Sequence, residues 1–178
     1  MFIREKIIYN KPYAYLVKTR WDKRSKKVKQ KVHKYLGKIY KLEKVRNILF
    51  EEYFSFELET YVEETDLKDI LYNLIEVELF RHGFEKSEKG DLMVLGDISI
   101  PLSPKDIEKV YQMNEGYLNK YTLKEIMRYY TLLDESINNV PFRFAALFVN
   151  AGINIDKDLF IQLYQKLFSD NIDSKHSA

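Results

Sequence analysis

The sequence predicts an α+β chain: an N-terminal three-stranded antiparallel β meander followed by a mainly helical domain with a β-hairpin. Three observations predict it. In the opening stretch β-branched and aromatic residues alternate with polar ones, the period of a strand. Farther along, apolar residues recur at three- and four-residue spacings, the period of a helix buried on one side. Within that part Gly96-Asp97 separates two short apolar runs, as in a tight hairpin. With 46% hydrophobic residues in 178 positions, the chain can bury a core of ordinary domain size. Its composition divides it into a basic β module (residues 1–40), an acidic α+β domain (41–170) and a disordered tail (171–178).

Residues 2–9, 12–22 and 27–36 read as strands, with Asn10-Lys11-Pro12 and Asp22-Lys23-Arg24-Ser25-Lys26 as turns and Gly37 closing the unit. Alternation puts Ile3, Ile7, Tyr13, Tyr15, Val17, Val28 and Val32 on one face. Arg4, Lys6, Lys18, Arg20, Lys27, Lys29 and Lys31 take the other. A slip of one residue would exchange the faces.

Charge segregates along the chain. Residues 1–46 hold sixteen Lys and Arg against three acids, a net +13, while the remainder holds 13 bases and 24 acids, a net −11. A compact cationic segment repels itself unless an anion is near. Its cations are interleaved with apolar residues, so it reads as a folded surface. Such a surface grips a phosphate backbone, docks on an acidic protein surface, or stays solvated and protects a sheet edge. The nucleic-acid-binding candidates are Arg4, Lys6, Lys18, Arg20, Trp21, Lys23, Arg24, Lys26, Lys27, Lys29, Lys31 and His33. Trp21, beside Lys23 and Arg24, suits stacking on a base or packing in an interface.

The runs Tyr13-Ala14-Tyr15-Leu16-Val17-Lys18-Thr19-Arg20 and Lys27-Val28-Lys29-Gln30-Lys31-Val32-His33-Lys34-Tyr35-Leu36-Gly37 carry a resemblance. Residues 3–37 resemble the short basic β module that opens many insertion-sequence transposases and some archaeal proteins. The resemblance implies DNA as a ligand. A transposase also needs an acidic catalytic triad in a ribonuclease-H-like core, and the rest of this chain is too short and differently patterned for one. The resemblance therefore extends to the module and not to the enzyme.

In the acidic part, Leu42, Val45, Ile48 and Leu49 predict a helix over 41–50, and Phe54, Phe56 and Leu58 an extended strand or connector. Leu67, Ile70, Leu71, Leu74, Val77 and Phe80 predict an amphipathic helix capped by Thr65 or Asp66 and ended by Gly83. Residues 92–95 and 98–100 flank the glycine turn. Ser103-Pro104-Lys105-Asp106 predicts a short helix to about Gln112, against a competing strand at 110–113. Thr122-Leu123-Lys124-Glu125 opens a helix to about Asp134, and Asp156 caps a last one. The two segments around Gly152 invite a helix-turn-helix reading, but Asp156, Lys157 and Asp158 make a poor approach to phosphate.

Catalytic signatures do not emerge. Cysteine is absent, so there is no disulfide framework, thiolate metal site or cysteine nucleophile. His33, His82 and His176 are isolated, and no phosphate-cradling glycine loop or nucleophile elbow occurs. Glu76 with Glu78, or Asp91 with Asp97, fits no metal-ligand spacing. The expectation is a non-enzymatic nucleic-acid-binding protein without cofactor or metal, whose basic hairpin grips DNA or RNA while the acidic domain dimerises or recruits a partner. The alternative is a protein-interaction module or ribosome-associated factor assembling through its opposite-charge halves. No apolar run is long enough to span a membrane, and the N-terminus lacks a signal-peptide pattern, so a cytoplasmic location is expected.

Overall fold

The computed structural model describes residues 1–131 and 140–173. The fold is α+β. Strands β1 (Phe2–Ile8), β2 (Lys11–Asp22) and β3 (Lys27–Lys41) form an antiparallel meander. After it come α1 (Phe50–Phe54), α2 (Leu58–Glu64), α3 (Leu67–Arg81), β4 (Glu85–Lys86), β5 (Leu92–Leu95) and β6 (Ile98–Pro101). The chain continues through β7 (Val110–Met113), β8 (Gly116–Leu118), α4 (Lys120–Thr131), α5 (Val140–Ala151) and α6 (Lys157–Asp173). β4, β5 and β6 make a small second sheet, and Gly96 (φ 55°) turns its hairpin.

The meander does not end at Gly37. β3 continues to Lys41, where Ile39, Tyr40 and Lys41 pair in parallel with Val110, Tyr111 and Gln112 of β7. The result is one five-stranded sheet in the order β1-β2-β3-β7-β8, continuous across the expected boundary after residue 40. Gly37 (φ 103°) sits instead at a bulge: Ala14 pairs with Gly37 and Tyr15 with Tyr35, leaving Leu36 unpaired.

That parallel pairing also explains two helices that do not form. Residues 42–49 are an extended connector because the Leu42 N–H donates to Gln112 O (2.9 Å) and the Val45 and Arg46 N–H groups to Arg81 O (2.9 Å each). After Ser103-Pro104 only a turn survives (Asp106 N–H to Ser103 O, 3.0 Å), and residues 110–113 become β7. Residues 51–59 are not extended: Phe56 stacks on Phe54 and on Tyr61, and Phe50 packs at a steep angle against all three rings across α1 and α2. α1 is only five residues long. Its N-cap amide, Leu49 N–H, donates to the helix's own Glu52 carboxylate (3.0 Å), and Phe50 N–H donates to Asp156 from outside (2.9 Å).

α3 is the central helix, buried through ten of its 15 residues, with Asp66 at its N-cap and His82 at its C-cap before Gly83 (φ 92°). The main core gathers Ile70, Leu74, Ile75, Phe84, Ile100, Met113, Leu123, Phe144 and Leu163 from almost every element of the second part. A satellite cluster of Ala14, Ile39 and Val110, with Ile3, Leu36 and Tyr117 against it, joins the meander to β7 and β8.

α4 starts two residues before the expected Thr122 because Asn119 caps it. The Asn119 side chain accepts from Tyr121 N–H (3.1 Å), while Thr122 Oγ1 accepts from Asn119 N–H (3.2 Å). The end expected near Asp134 lies outside the described residues. α6 runs to Asp173, so the helix continues past the expected tail boundary at 171, and residues 174–178 lie outside the described residues.

Candidate nucleic-acid interface

β1 stops opposite Val17, but β2 and β3 go on without it. Residues 18–22 and 27–31 are therefore a two-stranded ribbon beyond the body of the sheet, and all are exposed except Asp22, which is half-buried. Register assigns the ribbon's faces. Lys18 lies opposite Lys31, Arg20 opposite Lys29 and Asp22 opposite Lys27, all on one side. Thr19 with Gln30, and Trp21 with Val28, occupy the other side. The latter side is exposed grease: Trp21 is 56%, Val28 61% and Val32 57% accessible.

The seven cations expected on one face do not all share it. Ile3 pairs with Leu16, and Arg4 with Tyr15. Hence Ile3 packs with the satellite core while Arg4 and Lys6 join Tyr13, Tyr15 and Val17 on the aromatic side. β1 is shifted by one residue against the expected register because Ile3 finds burial beside Ala14 and Leu16, which a pairing with Tyr15 would deny it. Arg4 Nη1 accordingly donates to Gln30 Oε1 across the aromatic face (2.9 Å). Lys18, Arg20, Lys27, Lys29 and Lys31 remain together.

Lys23, Arg24 and Lys26 lie in the loop between the strands. Asp22 organises that loop by accepting from Arg24 N–H (3.1 Å), from the Ser25 hydroxyl (2.9 Å) and from Lys29. The Lys29 hydrogen bond, then that of Ser25, holds the Asp22 carboxyl below its ordinary range. Lys26 takes a left-handed conformation (φ 48°) to close the turn. His33 is the unpaired residue of a second bulge, between the Leu16–Lys34 and Val17–Val32 pairs. It is exposed there, and not in line with the cations as expected. All twelve candidates are exposed.

Lys29 with Asp22 is the ion pair of this face; among the described residues Lys18, Arg20, Lys27 and Lys31 form none. Lys34 was not among the candidates, yet it belongs with them. It lies opposite Leu16, on the same side as Lys18 and Lys31, and its ammonium donates to the Tyr121 hydroxyl of α4 (2.9 Å). Alternation across the His33 bulge hides this, since counting by twos from Lys31 places Lys34 on the wrong side.

Of the acidic residues named for metal binding, Glu76 and Glu78 are engaged with protein donors, and Asp91 accepts from the Ser87 hydroxyl (3.2 Å). Glu76 accepts from the Tyr53 hydroxyl (3.0 Å) and Lys86 (2.7 Å). Burial, and then the Glu76 charge, push the Tyr53 phenol far up. Glu78 is fully buried and accepts from Asn114 Nδ2 (2.7 Å), Asn154 N–H (3.1 Å) and Arg81 (3.2 Å). Arg81 in turn donates to Ile48 O (2.9 Å), Asn154 O (2.7 Å) and both Asp156 oxygens. These carboxylates are engaged with protein donors, and with Arg81 they fasten α3 to the connector before α1 and to the loop before α6. Among the described residues no group of three or more His, Asp or Glu is placed to hold a metal. No helix there is long and apolar enough to cross a membrane. No protein-family model matches the chain, and neither a curated protein nor a solved structure does.

Proposed function

We propose that the protein binds nucleic acid without catalysing a reaction on it, gripping the phosphate backbone with the cationic face of the β2–β3 ribbon. The observation that carries this is the pair of cross-strand contacts Lys18–Lys31 and Arg20–Lys29. Like charges directly opposite one another destabilise a ribbon. Among the described residues of the ribbon, Asp22 is the carboxylate on that face, and it pairs with Lys29. A phosphate lying between the strands removes the repulsion and releases condensed counterions. Trp21, on the opposite face near the tip, is available to stack on a base that passes round the edge. The resemblance of residues 3–37 to a transposase-opening module leans to DNA.

The test is the full chain titrated against labelled oligonucleotide by anisotropy. Affinity falls steeply between about 50 and about 300 mM salt, and Lys18→Glu, Arg20→Glu, Lys29→Glu and Lys31→Glu together abolish binding. Equal affinity at the two salt concentrations rejects the proposal. A second reading draws on the ribbon's other side, where Trp21, Val28 and Val32 lie exposed: an apolar strip of that kind also suits contact with a second copy or a protein partner. Association that persists in nuclease-treated protein and is lost in Trp21→Ser/Val28→Ser favours that reading.

A further inference from the structure

The ribbon's cationic face leads to a groove in the other half of the chain. From the Asp22–Lys27 pair to the Leu16–Lys34 pair the face runs about 20 Å, at strand rise. There Lys34 touches Tyr121, and Tyr121 lines a cavity of about 660 Å³ shared with Lys68, Tyr72, Lys105, Lys120 and Lys124. We propose that this groove takes an unstacked base and its flanking phosphates, so that the ligand of the ribbon is a single strand and not a duplex. The inference rests on the ribbon reading and adds to it which form of nucleic acid is bound.

The chemistry of the lining argues for a nucleotide. Four lysines rim the groove, and among the described residues no carboxylate lines it. Glu108, just outside, is taken by Lys120 (2.7 Å), a contact that lowers the Glu108 pKa and raises that of Lys120. Lys68, Lys105 and Lys124 are exposed and have no ion-pair partner among the described residues. The walls between the cations are apolar and aromatic: Leu123, Met127, Pro104 and two tyrosine rings. Lys34 lies 5.5 Å from the Tyr121 centroid and Lys68 5.6 Å from that of Tyr72. Each ring thus has an ammonium where a phosphate beside a stacked base would lie. A cavity of this size is that of a small-ligand site. It admits a splayed base, which a single strand presents at little cost and a duplex only after unpairing. The part of the chain beyond residue 46 is acidic on balance, with 13 bases against 24 acids. Four of its lysines nevertheless converge here, at the foot of the ribbon.

The test compares wild type, a groove variant (Lys68→Glu/Lys124→Glu) and the fourfold ribbon variant, all as full chains checked for native circular dichroism. The probes are a mixed-sequence single-stranded DNA, its RNA equivalent, the corresponding duplex and a free nucleoside monophosphate. Wild type is expected to bind the single strand about tenfold or more tighter than the duplex, and the groove variant to lose that margin while its weak duplex binding is little changed. Equal wild-type affinity for the two forms overturns the inference. A single strand carrying 5-iodouracil should photocrosslink to Tyr72 or Tyr121. A groove variant that binds single strands like wild type, or crosslinks confined to Trp21, overturns the groove inference while leaving the ribbon reading intact. Free nucleotide binding as tightly as the single strand also overturns it, because ribbon and groove would then act separately. If the ribbon variant binds every strand like wild type, the ribbon reading itself fails.

Discussion

At Asp22 one carboxylate gathers Lys29, the Ser25 hydroxyl and the Arg24 amide, and these donors hold its pKa below the ordinary 3.8. A pKa depressed by folding contributes stability in full above the unfolded value, and that stability is lost as pH falls through the folded one. The turn should therefore stay ordered at neutral pH and loosen only in acid below 3.8. NMR titration of the Asp22 carboxyl carbon is expected to give a midpoint under that value, and Asp22→Asn to remove the acid-dependent loosening. Arg81 poses the opposite problem, a buried charge (2% exposed) whose partners Glu78 and Asp156 depend on it. Removing one member of a buried pair strands the other. Arg81→Met should lower unfolding free energy by about 3–5 kcal/mol in urea titration, and a loss under about 1 kcal/mol would mean the network contributes little. None of this was legible in sequence: Glu76, Glu78 and Arg81 look like the polar residues of an ordinary amphipathic helix until tertiary packing buries them.

Among elements, the β7–β8 turn and the end of α5 approach too closely for side chains. A Cβ on Gly116 would stand 2.0 Å from Val149 O and 2.3 Å from Gly152 N, and one on Gly152 (φ 75°) 2.6 Å from Met113 O. Because the obstacles are backbone atoms, Gly116→Ala forces β8 and α5 apart and should cost at least about 2–3 kcal/mol, read as a lower thermal midpoint with α5 amides less protected from exchange. Sequence shows these glycines only as breaks. α3 was legible because its apolar spacing, Asp66 cap and closing Gly83 agree with one another. The helix expected over 41–50 failed because its apolar spacing fits two structures, and pairing of β3 with distant β7 selected the extended one.

For the whole molecule, few ion pairs join the +13 and −11 parts among the described residues. Among the described residues Arg46–Glu85 is the ion pair joining residues 1–46 to the rest, while Lys41–Glu5 and Lys29–Asp22 stay within the basic part. Salt should consequently act on binding and not on the fold. Raising it from about 50 to about 300 mM shortens the screening length about 2.5-fold, whereas five phosphate contacts lose on the order of several hundredfold in affinity. The thermal midpoint is expected to hold or rise slightly as repulsion in the ribbon is screened. The logarithm of single-strand affinity should fall with that of salt at a slope of about −3 to −4 for five contacts. A midpoint that drops markedly with salt would show that attraction between the halves supports the fold.

Sequence alone determined the alternating basic meander, the segregation of charge and the helix built on Leu67 to Arg81, because period, turn chemistry and capping are local properties. Tertiary structure decided which way β1 faces, where β3 ends, and that lysines 34, 68, 105, 120 and 124 meet around two tyrosines. Those outcomes depend on which distant partner offers a strand its hydrogen bonds and its apolar side chains burial, and one-dimensional spacing carries no record of that choice.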